Sequence, residues 1–249
     1  MKRFFIHVYE LTAFSLRFFK EVFLPPYEFG EFAGHLENFG SRSLPLVSVI
    51  GLLMGLILAL QTKPTLARFG AESFLPAMVA ISIVRELGPV ITALVVAGRV
   101  SSGIGAEIGS MKVTEQIDAL EVSSVDPYRF LVVPRILAGI ISLPLLTAYA
   151  DFLGIIGAFA IMYISAGMNW QLFMTSTITS LSIADIVPGI AKTFFFGFII
   201  STVGSYFGFK ASGGTASVGK AATSAVVFAS FLILITDFVL VKVGILIFG

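Results

Sequence analysis

There is no cysteine among the 249 residues, so disulfides and thiolate metal sites are excluded. Histidine occurs twice, at His7 and His35. That is too few, too far apart, for a metal or triad site, and both read as ordinary interfacial residues. Charge is scarce: charged residues make up 12% of the chain, against about 25% in a soluble domain. From Phe152 to Ala184 there is none at all. The net charge of +1 argues against bulk capture of nucleic acid. What fills the chain instead is apolar. Hydrophobic residues make up 57%, and the mean hydropathy is +0.98. A soluble globule does not fit this composition. An all-α integral membrane protein does, with one membrane domain over 1–249: an interfacial or elbow region at 1–42 and a transmembrane bundle at 43–249.

Residues 1–24 are aromatic-rich, and Arg3, His7, Glu10, Arg17 and Glu21 recur at helical spacing. The pattern predicts a helix lying in the membrane interface, ended by Pro25 and Pro26. A secretory signal does not fit, because Glu10, Arg17 and Lys20 interrupt any apolar core. Residues 43–62 carry no charge between Ser43 and Thr62 and are long enough to span about 30 Å of hydrocarbon. Gly51, Gly55 and Ala59 recur every four residues, a flat face for close helix packing. The second span is predicted over 74–105. There Ala93, Ala97, Ser101, Gly105 and Gly109 form another small-residue stripe. Residues 106–130 read as a polar connection with a short amphipathic helix at 110–122. Val113, Ile117 and Leu120 mark its apolar edge, and Glu115, Asp118 and Glu121 its acidic one. Unless that apolar edge docks on something, it is exposed. Asp126-Pro127 reads as an N-cap and first helical position. Further spans follow over 130–164, 186–209 and 221–248, with a turn at Gly167–Trp170 and a short outer segment at 171–184. The bias of lysine and arginine toward one set of loops predicts a cytoplasmic N-terminus and a periplasmic C-terminus. No internal repeat of the kind that marks many secondary transporters is visible.

Ionic residues within the spans are the candidate site. Charge inside a membrane helix is costly and usually faces the bundle interior or a wet cavity. Arg85 and Glu86 are adjacent, so they point about 100° apart on a helix and each needs its own partner. Pro89 just after them frees backbone groups. An arginine fork suits phosphate; interhelix pairing that locks the bundle is the other reading. Arg99, Asp151 and Asp237 read as interhelix pairs. The stretch Gly214–Ala221, GTASVGKA, nearly matches a nucleotide P-loop, but Ala221 replaces the hydroxyl that would hold magnesium. It reads as a flexible loop.

The words RELGPVITALVVAGRVSSGIGAEIGSMKVTEQIDALEV, then DPYRFLVVPR at 126–135 and ISLPLLT at 141–147, resemble the permease subunit of Mla-type, MCE-associated ABC transporters. The similarity runs from about Gly51 onward. It implies a homodimer in the bacterial inner membrane that moves phospholipid between inner and outer membranes. It also implies a cytoplasmic ABC ATPase, a periplasmic ring of MCE-domain proteins and a small cytoplasmic accessory subunit. No cofactor is implied in this chain; ATP and Mg belong to the partner ATPase, so the chain itself is not an enzyme. Arg85 and Glu86 match the charged pair of the family's lipid pocket, with Leu66 and Phe69 as apolar pocket residues. Lys112, Glu115, Asp118 and Glu121 lie on the matching coupling helix. Two other classes share the composition: an ion-coupled secondary transporter using Asp151 and Asp237, and a membrane scaffold.

Overall fold

The computed structural model describes residues 2–25 and 27–248, with side chains from 9 to 247 except residue 26. The readings made for the side chains of Arg3 and His7, and for Pro26, lie outside these. Among the described residues there is no strand. Five helical runs within the described residues are long and apolar enough to cross a membrane: Phe29–Arg68, Glu72–Val113, Tyr128–Ala166, Ile183–Phe209 and Thr215–Ile247.

Helix α1 (Lys2–Glu21) lies against the bundle through Phe18, which is buried with Tyr128, Val132 and Ile136. Ion pairs clamp it there. Arg17 meets Asp126 at 2.6 Å, Glu21 meets Arg129 at 2.7 Å, and Glu10 meets Lys210. The segment 25–42 holds a further helix, α2 (Phe29–Phe39), which packs along α8 (Val133–Ala166). His35 is buried on α2 and stacked on Phe39.

Helix α3 (Leu44–Arg68) outruns the expected end at 62, with Pro64 in its last turns. It lies along α8 at very short range, because glycines remove the side chains between them. A Cβ on Gly55 would stand 1.7 Å from the Gly154 carbonyl oxygen, and one on Gly51 2.7 Å from that of Ala150. The second span is α4 (Leu75–Ser82), α5 (Gly88–Val96) and α6 (Ser102–Val113), joined by π-turns at Ile83–Leu87 and Ala97–Ser101. Its small-residue stripe is the packing face: Ala93, Ala97 and Ser101 are wholly buried, and Gly105 and Gly109 face Ala221 and Ala225, and Ala211 and Val218.

The helix runs to Val113, so the polar connection is shorter than 106–130. It breaks at Glu115, whose φ of 60° is left-handed, and resumes as α7 (Gln116–Val122). Asp126 caps the next segment, its Oδ1 accepting the Tyr128 N–H at 2.8 Å. After a left-handed Gly167, Asn169 caps α9 (Trp170–Ser180), the segment read as 171–184. Ser182 and Asp185 form a reciprocal capping box on α10 (Ile183–Phe209). Helix α11 (Thr215–Phe248) starts earlier than expected and takes up part of the Gly-rich loop.

Candidate functional site

The site is built on the first π-turn. Pro89 has no N–H, so the carbonyl four residues back, that of Arg85, loses its helical donor. The Gly88 N–H reaches instead to Ile83, five residues back. A π-turn of this kind re-aims side chains and recurs at functional sites. Lys192 of α10 fills the gap. Its Nζ lies 3.5 Å from the freed Arg85 carbonyl, 2.5 Å from Glu86 Oε2 and 3.1 Å from Asp237 Oδ1 of α11. The Asp237 contact is an ion pair by distance whose angles fall short of a hydrogen bond.

Arg85 turns to a different residue of α10: its Nη1 lies 3.5 Å from Asp185 Oδ1. The other oxygen of that carboxylate accepts the Ser182 N–H and hydroxyl at 3.1 and 2.6 Å. One acid thus caps α10 and faces Arg85. Asp185 and Lys192 are seven residues apart, two turns, so they share one face of α10. The divergence of Arg85 and Glu86 is met by two partners stacked along that face.

Burial is graded across this layer. The Lys192 side chain is 3% exposed, while those of Arg85 and Glu86 are 39% and 37% exposed. The arrangement holds a buried cation behind and presents one guanidinium and one carboxylate outward. It is suited to binding a polar group by charge. Leu66 packs against the apolar cluster that includes Leu75, Val79 and Ile83, the last being the first residue of the π-turn. Phe69 stands apart at the end of α3, 80% exposed.

Asp237 does pair between helices. Arg99 bonds between helices, but to neutral groups: its Nη1 donates to the Asn38 carbonyl at 3.1 Å and the Ser43 hydroxyl at 2.6 Å. The pairing expected of Asp151 is not found among the described residues. It is buried, and its Oδ1 has no hydrogen-bond partner. The carboxylate instead occupies the space that Gly88 leaves, where a Cβ would come within 1.7 Å of Oδ1.

At the other end of the second span, Lys112 closes α6 and its Nζ meets Asp118 of α7 at 2.6 Å. Glu115, Asp118 and Glu121 are exposed. The apolar edge of α7 is not bare, however. Ile117 is 1% exposed and sits in the bundle's own core with Leu131 and Ile108, so that edge needs no partner. What α7 offers outward is its acidic face and Val122, which is 87% exposed.

Two features escaped the sequence reading. Lys192 is the only charged residue between Asp185 and Lys210, and that isolation in an apolar run was the available signal. Arg135, 2% exposed in α8, pairs with Glu107 at 2.8 Å.

The family model described as Permease MlaE matches residues 32–243. A probable ABC transporter permease protein of Rickettsia typhi is 40% identical over 229 residues, covering 92% of this chain and 88% of that one. The intermembrane phospholipid transport system permease protein MlaE of Haemophilus influenzae is 37% identical over 208 residues, with 82% and 78% covered. The chloroplastic protein Trigalactosyldiacylglycerol 1 of Arabidopsis thaliana is 36% identical over 205 residues, 82% of this chain and 59% of the other. A bundle of five apolar helices matched over most of its length in this way is a multi-pass membrane permease, and the chain belongs to the MlaE permease family.

Proposed function

We propose that this chain is the membrane subunit of an ABC transporter that moves phospholipid between inner and outer membranes. The observation that carries the reading is the charged layer at the first π-turn, which leaves Arg85 and Glu86 partly exposed in a largely apolar bundle. A phospholipid asks for a few polar groups beside a wide apolar surface. The name of the Haemophilus relative, an intermembrane phospholipid transport permease, supports the same cargo. Two copies would form the working unit, in the inner membrane with the N-terminus cytoplasmic and the C-terminus periplasmic. ATP and Mg belong to a separate ATPase chain docking at Lys112, Glu115, Asp118 and Glu121, with a small accessory subunit beside it. A ring of MCE-domain proteins would cover the opposite face.

In this reading the ATPase presses on α7. Because α7 joins the second and third spans and is anchored by Ile117, its displacement moves those spans as rigid bodies. The shift reshapes the surface beside Arg85 and Glu86. Arg85→Ala combined with Glu86→Ala is expected to lower phospholipid co-purified with the complex several-fold, by mass spectrometry, while the ATPase still co-purifies. Unchanged lipid would sink the assignment. Charge reversal at Glu115 and Asp118 is expected to release the ATPase in a pull-down; an intact complex would leave those acids as a solvated face. Ion-coupled transport is separated by its energy source, since it predicts transport driven by a pH gradient with no nucleotide present.

A further inference from the structure

The second span carries an arginine at the third position of each of its π-turns, Arg85 in Ile83–Leu87 and Arg99 in Ala97–Ser101. They are fourteen residues apart, about 21 Å along a helix. Their surroundings differ in sign. The Arg85 layer holds three carboxylates, Glu86, Asp185 and Asp237, against two cations. Arg99 has no carboxylate within ion-pair distance among the described residues. Its Nη1 bonds are to neutral oxygens, and among the described residues no hydrogen bond occupies Nε or Nη2. Arg42, another cation, lies on the same short turn that presents Ser43 to Arg99.

A cavity of about 160 Å³ opens beside Arg99, lined also by Asn38, Phe39, Gly103 and Glu107. Glu107 does not neutralise Arg99, because it is already held by Arg135 at 2.8 Å. The buried Arg135 has a second unanswered donor, its Nε. An unpaired arginine in an apolar span is costly. A guanidinium fork binds phosphate oxygens two at a time.

We propose that the cavity beside Arg99 is a phosphate-group site, a second polar station on the span. That the phosphate belongs to a phospholipid rests on the transport reading above; free phosphate is the same chemistry from another source. Arg85 already faces a carboxylate, so the stronger claim on a phosphate lies at Arg99.

The absence of cysteine makes a clean reporter available. Gly103 lines the cavity and a Cβ there meets nothing within 4 Å, so Gly103→Cys places a single thiol at the site. Its alkylation rate is measured on the full chain in an uncharged detergent. The probes are dihexanoylphosphatidylglycerol, the phosphate-free dihexanoylglycerol and sodium phosphate. Several-fold slowing by the phospholipid but not by the diglyceride is the expected result. Slowing by sodium phosphate as well supports the site with the free ion as a source. No slowing by either phosphate compound, or equal slowing by the diglyceride, overturns the proposal.

Arg99→Gln in the same background is expected to abolish protection. Arg42 is exposed, so Arg42→Gln folds whatever Arg99→Gln does, and it is expected to weaken protection. Full protection retained in either folded variant overturns the proposal. The thiol at position 103 reports on the cavity beside Arg99, which Arg85 does not line, so failure here is read separately from failure of the Arg85–Glu86 lipid test.

Discussion

Lys192→Met is expected to cost the protein most of its stability and all of its transport. The lysine is 3% exposed and faces Glu86 at 2.5 Å and Asp237 at 3.1 Å. Methionine fills the same volume but supplies no charge. Two carboxylates would then confront one another in an apolar bundle, with the Arg85 carbonyl again unpaired. Removing one partner of a fully buried ion pair typically costs about 3–5 kcal/mol, because the charge left behind keeps its desolvation penalty, and the partial exposure of Glu86 at 37% puts this case toward the lower end. Ordinary polar contacts between membrane helices contribute far less, about 0.6 kcal/mol on average. The leftover acids, not the lost bond, therefore decide the size of the effect. The check is the unfolding midpoint of the detergent-solubilised protein, with lipid transport in reconstituted complexes. Adding Glu86→Gln and Asp237→Asn to Lys192→Met removes the stranded charges. That triple variant is expected to recover stability without recovering transport. A Lys192→Met protein as stable as the wild type would mean that the three groups do not meet.

Gly55→Ala is the second large effect, and it acts through geometry rather than charge. The added methyl would lie 1.7 Å from the Gly154 carbonyl oxygen and 2.5 Å from its carbon. Both are backbone atoms, so no side chain can rotate away. Helices α3 and α8 must separate, and the neighbouring close approaches at Gly51 and Gly157 open with them. Overpacking a tight interior typically costs about 1–3 kcal/mol. The backbone contact puts this substitution at or beyond the upper end. Between membrane helices there is little hydrophobic drive to compensate, since lipid tails are as apolar as the helices themselves. Gly34→Ala is the control. It lies in α2 with nothing within 4 Å of a new Cβ, so it is expected to be neutral or to gain up to about 1 kcal/mol from helix propensity. Thermal unfolding of both variants side by side checks the contrast. Equal behaviour would refute the close α3–α8 crossing.

The spans were legible because hydropathy is a property of segments. An apolar run of the right length has few alternatives to crossing a membrane. The small-residue stripes were legible as packing faces for the same reason, since their period matches the helix. The ends of the helices were not. The second span runs eight residues past its expected end and stops only before Glu115, whose left-handed conformation periodicity does not encode. The amphipathic pattern at 110–122 was real, but its apolar edge turned out to rest on the chain's own core through Ile117. An amphipathic pattern says that an edge is covered; it does not say by what.

From the letters alone, Arg85, Glu86 and Pro89 announced a disturbed, charged stretch within a membrane helix, because local chemistry is enough to make such a stretch expensive. Which groups answer those charges was a matter of the tertiary structure. Lys192 lies 106 residues from Glu86, and Asp237 a further 45 on. Only the packing of α10 and α11 against the first π-turn brings the three together. The same packing left Asp151 Oδ1 without a hydrogen-bond partner among the described residues and set Arg99 against neutral oxygens. Solvation cost is written residue by residue, whereas compensation depends on distances that no stretch of sequence contains.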